Sequence, residues 1–281
     1  MAPPWGLDVP AVANGPLHMV LEGSCVLRHD GCDYELEEGD VVVLPNGAKH
    51  QMLDAPGTVP EPGLEALPRL MNGGNTEPVP GATRMLCGHF EWDGALDHPM
   101  FRELPELIIV RDVFGRQSGE QFGRIVALIV DEFTGPTPGG SAVADRMGEV
   151  LFVSILRAWM LEHQPVTGVL ATMNDARLSR ALSFIHQYSD TQIDLDGLAR
   201  VAGMSRTSFA VRFREVMGTP PASYLTECRL LQARRLLLHT ELATPAIIDQ
   251  VGYGSEAAFV RAFKRRFGET PARLRRQTAA Q

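Results

Sequence analysis

Hydrophobic positions along the chain follow different rhythms in different stretches. Between residues 16 and 53, short apolar runs alternate with polar positions in "LHMVLEGSCVLRHDG", "CDYELEEGD" and "VVVLPNGAKHQML". Glycine with Asp or Asn marks the breaks, so the pattern predicts a meander of short strands. From 118 to 164 the period lengthens to that of a helix. "SGEQFGRIVALIVDEF" and "AVADRMGEVLFVSILRAWMLEHQ" flank a break at "TGPTPGGS". The second segment is apolar on nearly all sides, including Leu151, Phe152, Ile155, Leu156, Trp159 and Met160, and needs partners on more than one face. Either an antiparallel pair that doubles as a dimer interface or burial against the strands meets that need. Residues 54–83 are dense in Pro, Gly and Asn without a period, which predicts a long loop between strands.

The C-terminal third contains an internal repeat. "VAGMSRTSFAVRFREVMGTPPA" (Val201–Ala222) aligns with "VGYGSEAAFVRAFKRRFGETPA" (Val251–Ala272) without gaps. Val201/Val251, Ser205/Ser255, Phe209/Phe259, Phe213/Phe263, Gly218/Gly268 and Pro221/Pro271 coincide. Each copy predicts a helix, a glycine turn and a second helix. Asp194 and Thr244 are expected to cap the first helices, with Pro245 at a favoured first-turn position, and Ser205 and Ser255 to cap the second. Phe209, Phe213 and Met217, like Phe259, Phe263 and Phe267, recur at i, i+4, i+8 and form one buried stripe. Thr207, Ala210, Val211 and Arg214 lie opposite that stripe in the first copy, and Ala257, Val260, Arg261 and Lys264 in the second. In a helix-turn-helix the second helix enters the major groove, so these are the candidate base-facing positions.

Charge sharpens this picture. The 281 residues carry 26 Lys and Arg against 34 Asp and Glu, a net charge of −8 that by itself argues against nucleic acid. Divided, residues 1–173 hold 10 basic against 24 acidic residues, and residues 174–281 hold 16 against 10. A basic module is thus joined to an acidic one, as when only one part meets a polyanion. The four cysteines, Cys25, Cys32, Cys87 and Cys228, form no CxxC pair, which fits a reducing compartment. With no apolar run long enough to span a membrane and no leader pattern, a cytoplasmic protein is expected.

The stretches "SRTSFAVRF…GTPPASYLTECRLLQARRLL" and "IIDQVGYGSEAAFVRAFKRRFGETPARLRR" resemble the AraC/XylS family of bacterial transcription regulators. The resemblance covers about residues 174–276. It implies seven helices: two helix-turn-helix units, 194–217 and 244–267, joined by a long helix from Pro221 to about His239. It also implies recognition helices about 34 Å apart on one face of operator DNA. The positions assigned to DNA are Ser205, Arg206, Thr207, Ser208, Ala210, Val211, Arg212 and Arg214 in the first unit. In the second they are Ser255, Glu256, Ala257, Val260, Arg261, Lys264 and Arg265. Thr207 and Val211 suit a thymine methyl group, Arg261 suits guanine, and the remaining cations, Arg266 included, suit phosphate.

In the acidic half, Gly39-(five residues)-Pro45-x-Gly47-xx-His50 resembles the second cupin motif, and His18-(three residues)-Glu22-Gly23 resembles part of the first. With "MLCGHFEWD" and "HPMFRELPELIIV", these strands resemble the cupin-type sensor domain found in a subset of the same regulators. Metal-binding cupins take two histidines and a glutamate from the first motif and one histidine from the second. Here Pro16 stands at the first of those positions, so that ligand set is incomplete. His18, His50, Cys87 and His89 would substitute, and mixed N and S donors suit zinc or another late first-row transition metal. The alternative is that the histidines hydrogen-bond inside the barrel while Cys87 packs, with a redox role for Cys87 if its thiolate is favoured.

The expected fold class is α+β with several domains: an N-terminal cupin-like antiparallel β-barrel with a helical pair, and a C-terminal all-α double helix-turn-helix domain. The expected boundaries are 1–115 for the sensor domain, 116–165 for a helical dimerisation segment, 166–174 for a linker and 175–281 for the DNA-binding domain. The function implied is a sequence-specific transcription regulator controlled by a small-molecule, metal or redox signal. Its expected partners are double-stranded operator DNA, a second copy of itself, an unidentified effector and, if it is an activator, RNA polymerase. The competing expectation is a cupin metalloenzyme, a dioxygenase or isomerase, fused to a DNA-binding module.

Overall fold

The structure is a computed structural model that describes residues 1–63, 65–67, 81–90, 103–115, 119–134, 138–165, 167–188 and 193–278. The chain divides into two compact units, 1–93 with 104–163 and 94–103 with 164–281. Part of the expected loop, residues 64 and 68–80, lies outside the described residues.

The first unit contains two sheets. The strands are β1 (Gly6–Val9), β2 (Gly15–Glu22), β3 (Ser24–His29), β4 (Cys32–Glu37), β5 (Val41–Val43), β6 (His50–Leu53), β7 (Glu61–Pro62), β8 (Arg84–Phe90) and β9 (Ile108–Val110). One sheet runs β4-β3-β6-β1-β7 and the other β8-β2-β5-β9. All pairs are antiparallel except β1 with β7, a short strand inside the stretch expected to be loop. Strand pairing thus leaves two sheets, not one closed cylinder, among the described residues. Their core is built from Trp5, Leu7, Val20, Leu27, Leu36, Val42, Leu44 and Met52. Gly47 turns the chain into β6 with φ +67°, and a Cβ there would overlap the Val12 carbonyl oxygen, so the motif glycine is needed sterically.

Two helices follow, α1 (Gly119–Thr134) and α2 (Gly140–His163), and they pack on one another. Phe122, Ile125, Val126 and Ile129 form the buried stripe of α1 at the i, i+3, i+4, i+7 spacing of an amphipathic helix. On α2, Leu151, Phe152, Ile155, Leu156 and Met160 are buried within the unit, whereas Val143, Val150, Val153 and Leu161 are exposed.

The second unit is helical: α3 (Gly168–Ala171), α4 (Ala176–Gln187), α5 (Leu195–Ala202), α6 (Arg206–Met217), α7 (Pro221–His239), α8 (Thr244–Gln250), α9 (Glu256–Phe267) and α10 (Pro271–Thr278). The segment expected to be a plain linker is itself helical. Val169 and Ala171 of α3 are buried in the first helical core with Leu178, Leu182, Leu198, Phe209, Phe213 and Tyr224. A second core joins Leu230, Ala233 and Leu237 of α7 to Ile247, Ile248, Phe259, Phe263 and Leu274. Helix α7 therefore serves one core with its N-terminal half and the other with its C-terminal half.

Most expected caps are present. Asp194 accepts from the Gly197 amide at 2.7 Å, and Ser205 and Ser255 accept from the Ser208 and Ala258 amides. Gly203 ends α5 in the left-handed region at φ +67°, where a side chain would be strained. Thr244 departs from expectation: it is the first helical residue, and Ala243 stands at the cap without a side-chain bond. Pro245 in the first turn supplies a fixed φ at that start instead. Phe213→Ala should cost about 3–5 kcal/mol, read as a lower urea midpoint for the helical circular-dichroism signal. The exposed Val211→Ala should move that midpoint by no more than about 0.5 kcal/mol.

Candidate functional site

The DNA-facing candidates sit on helices whose opposite faces are locked in the cores. Phe209 and Phe213 are fully buried on α6, as are Phe259 and Phe263 on α9. The exposed face of α6 presents Arg206, Thr207, Ser208, Val211, Arg212 and Arg214, with Ala210 half-buried. That of α9 presents Glu256, Ala257, Arg261, Lys264 and Arg265, with Val260 half-buried. The two Ser caps are exposed at the helix starts, where backbone N–H groups also favour a phosphate.

Several arginines expected at phosphate have partners inside the protein. Arg212 Nε lies 3.1 Å from Asp175, which also caps α4, and its guanidinium reaches Glu215 at 3.7 Å. Hydrogen bonds from the Leu178 and Arg177 amides and from Arg212 outweigh burial and hold the Asp175 carboxyl below the usual range, although burial opposes them as the largest single effect. Arg206 is 3.6 Å from Asp196, and Arg266 is 2.6 Å from Glu227. Sequence reading missed these acids because the partners of Arg212 and Arg266 lie 37 and 39 positions away, beyond any helical period.

In the first unit, strand register assembles a polar series. His18 on β2 stands opposite Cys87 on β8, while His50 opens β6 in the other sheet. The His18 and His50 Nε2 atoms are 2.8 Å apart, and His18 Nδ1 is 3.3 Å from Cys87 Sγ. His50 Nδ1 faces the Ala48 carbonyl oxygen at 2.9 Å, so that nitrogen carries a proton and donates. His50 Nε2 is then an acceptor, His18 Nε2–H donates to it, and His18 Nδ1 accepts from the Cys87 thiol. Every polar atom in the series is satisfied with all three groups neutral.

Electrostatics favour that neutral form. Burial, with His50 as a lesser cause, pushes His18 down to about 3, and burial lowers His50 despite its bond to Ala48. Dense protein around Cys87 pushes its thiol up to about 12, although its side chain meets solvent, which limits the desolvation. Cys25 is likewise raised to about 12, by burial first and by Cys87 second. Cys87 is thus a thiol that solvent reaches, not a preformed thiolate.

The four-residue metal set does not form one ligand shell in this arrangement. Cys87 lies on the Nδ1 side of His18 and His50 on its Nε2 side, so the three donors do not converge on one point. No group of three or more His, Cys, Asp or Glu suited to a metal occurs among the described residues. His89 is exposed two positions along β8, opposite Pro16. Cys228 is buried in the first helical core.

Comparison with known proteins agrees with both halves. A family model described as Cupin matches residues 1–161, and one described as Helix-turn-helix domain matches residues 198–277. The chain belongs to the AraC-type transcription regulators with an N-terminal cupin domain. The regulator is 27% identical over 271 residues to the HTH-type transcriptional regulator AlkR of Acinetobacter baylyi, covering 93% of this chain and 87% of AlkR. It is 29% identical over 273 residues to an AraC-like protein of Streptomyces antibioticus, covering 96% and 88%. It is 26% identical over 259 residues to RclR of Escherichia coli, covering 92% and 83%. These relatives are named as transcription regulators, and they give the metalloenzyme alternative no support. No helix among the described residues is long and apolar enough to cross a membrane.

The neutral histidines make the regulator's stability depend on pH. At acid pH the unfolded chain protonates both imidazoles while the fold resists, so protonation favours unfolding. The contribution of His18 is complete above 6.5 and lost progressively as pH falls toward about 3. The loss should approach about 1.4 kcal/mol per pH unit for one such group. Urea titrations from pH 7 to 4.5 check this, and His18→Gln should flatten the dependence.

Proposed function

We propose that this regulator binds operator DNA as a homodimer through both helix-turn-helix units, with chemical modification of Cys87 as the signal that changes its action. The observation carrying the signal is the series Cys87–His18–His50, whose outer end meets solvent and whose inner end is buried. A peroxide-type oxidant would transfer one oxygen to the thiol: the O–O bond breaks, sulfur gains a hydroxyl group, and water leaves. The new hydroxyl takes the place of the S–H that His18 Nδ1, 3.3 Å from the sulfur, accepts from. His18 must then move or lose its partner. An unsatisfied buried polar atom costs about 1–3 kcal/mol, the range of ordinary allosteric coupling energies. Because the thiol is protonated, strong oxidants are favoured over weak ones. RclR is named as an RCS-specific activator, which supports a dedicated chemical input.

Support for the homodimer comes from α2. Val143, Val150 and Leu161 are exposed and fall within about 20° of one another at 100° per residue. A second copy would cover that stripe, and RNA polymerase is the further partner if the regulator activates.

Cys87→Ser should keep basal affinity for DNA within about twofold, since the residue belongs to a different compact unit from the helix-turn-helix residues. It should also lose the change in affinity that hypochlorite or peroxide produces in the native chain. A gel-shift titration with and without oxidant decides it, and an undiminished response in Cys87→Ser would overturn the signal. Val150→Glu with Leu161→Glu should give a monomer by sedimentation velocity. A dimer that persists would place the interface elsewhere.

A further inference from the structure

We propose that the two helix-turn-helix units divide recognition by chemistry: the first reads thymine methyl groups through Thr207 and Val211, and the second supplies most of the charge that grips the DNA backbone. This rests on DNA binding by both units and says what each contributes.

The exposed face of α6 carries one large apolar side chain where it should meet bases, beside Thr207 and Ser208 and among charged neighbours. Val211, 54% exposed, projects from the middle of the helix. It borders an open groove that Met204, Thr207 and Ser208 also line. The thymine C5 methyl is the apolar group on the major-groove edge of B-DNA, and a valine with a threonine one turn earlier is shaped to bury it. No base acceptor or donor can be satisfied by Val211.

The cations flanking that surface are balanced by acids. Arg206 faces Asp196, and Arg212 faces Asp175 and Glu215. Exposed pairs of this kind are weak, so they do not prevent an arginine from turning toward DNA. The carboxylates nevertheless stay beside any phosphate the arginine would contact and oppose it. Asp175 in particular is fixed by its hydrogen bonds to the Arg177 and Leu178 amides. Arg214 is the α6 cation outside these pairs among the described residues. On α9 the balance differs. Arg261 and Lys264 are exposed without an ion pair among the described residues, Arg265 is exposed beside them, and the helix's one acid, Glu256, lies at its start. Each phosphate neutralised contributes about 0.9 to the slope of log affinity against log salt, so most of that slope should come from the second unit.

The test uses the full chain and an operator selected from a random-sequence duplex library. Replacing single thymines in the selected duplex by deoxyuridine removes only the C5 methyl. In one half-site this should weaken binding about fourfold per contacted methyl, the worth of one buried methyl-sized group. Val211→Ala should abolish that loss at its own position. In salt titrations Lys264→Ala should lower the slope by about 0.9 and Arg212→Ala should leave it nearly unchanged. Asp196→Asn, which releases Arg206 without touching a cap, should steepen it. Enrichment of a sequence with no deoxyuridine effect, or equal slope losses in Arg212→Ala and Lys264→Ala, would overturn the division alone. Failure to enrich any duplex would overturn DNA reading by this chain and the division with it.

Discussion

Two pairs of phenylalanines, each one helical turn apart, are what the DNA-binding half depends on. Phe209 with Phe213 and Phe259 with Phe263 have no solvent exposure, and in both pairs the ring centroids are 5.5 Å apart. They seat α6 and α9 on their cores in one orientation. The opposite face of each helix is thereby the exposed one, whatever its sequence. Helix α7 contributes to both cores, so the two recognition helices are spaced by a single rigid element instead of a flexible join. This separation of duties explains how the exposed face can change from Thr207 and Val211 to Arg261 and Lys264 while the frame repeats.

The first unit places His18, His50 and Cys87 in a largely apolar setting and satisfies the polar atoms of all three. Register puts His18 against Cys87, the steric demand at Gly47 directs the chain into His50, and the Ala48 carbonyl fixes the last proton. A satisfied network of this kind is high-stakes, since loss of one member strands the next. That property suits an input domain, because a small chemical change at the outer end has an energetic consequence at the inner one. The same arrangement is poorly suited to a single metal ion, whose ligands must converge.

What could be read from the sequence was local or repeated. The i, i+4, i+8 aromatics, the 50-residue offset and the serine caps specify the helix-turn-helix units by short-range physics alone. The strand rhythm from 16 to 53 and the two helices after 118 were legible for the same reason. The helix within 166–174 was not, because four residues hold no period and α3 exists through burial of Val169 and Ala171. The pairing of His18 with Cys87 was legible only as a shared chemistry. Their opposition across β2 and β8 depends on register, and which atoms face which depends on the Ala48 carbonyl. The ion pairs of Arg212 and Arg266 were hidden likewise, since their acids come from α4's cap and from α7.

The central claim is that one chain places two recognition helices in successive major-groove segments on one face of DNA. Hydroxyl-radical footprinting of the full chain on a selected duplex tests it most directly. Two protected patches should appear on the same face, with centres about 10–10.5 base pairs apart for each bound chain. A single patch, or two patches on opposite faces of the duplex, would contradict the account.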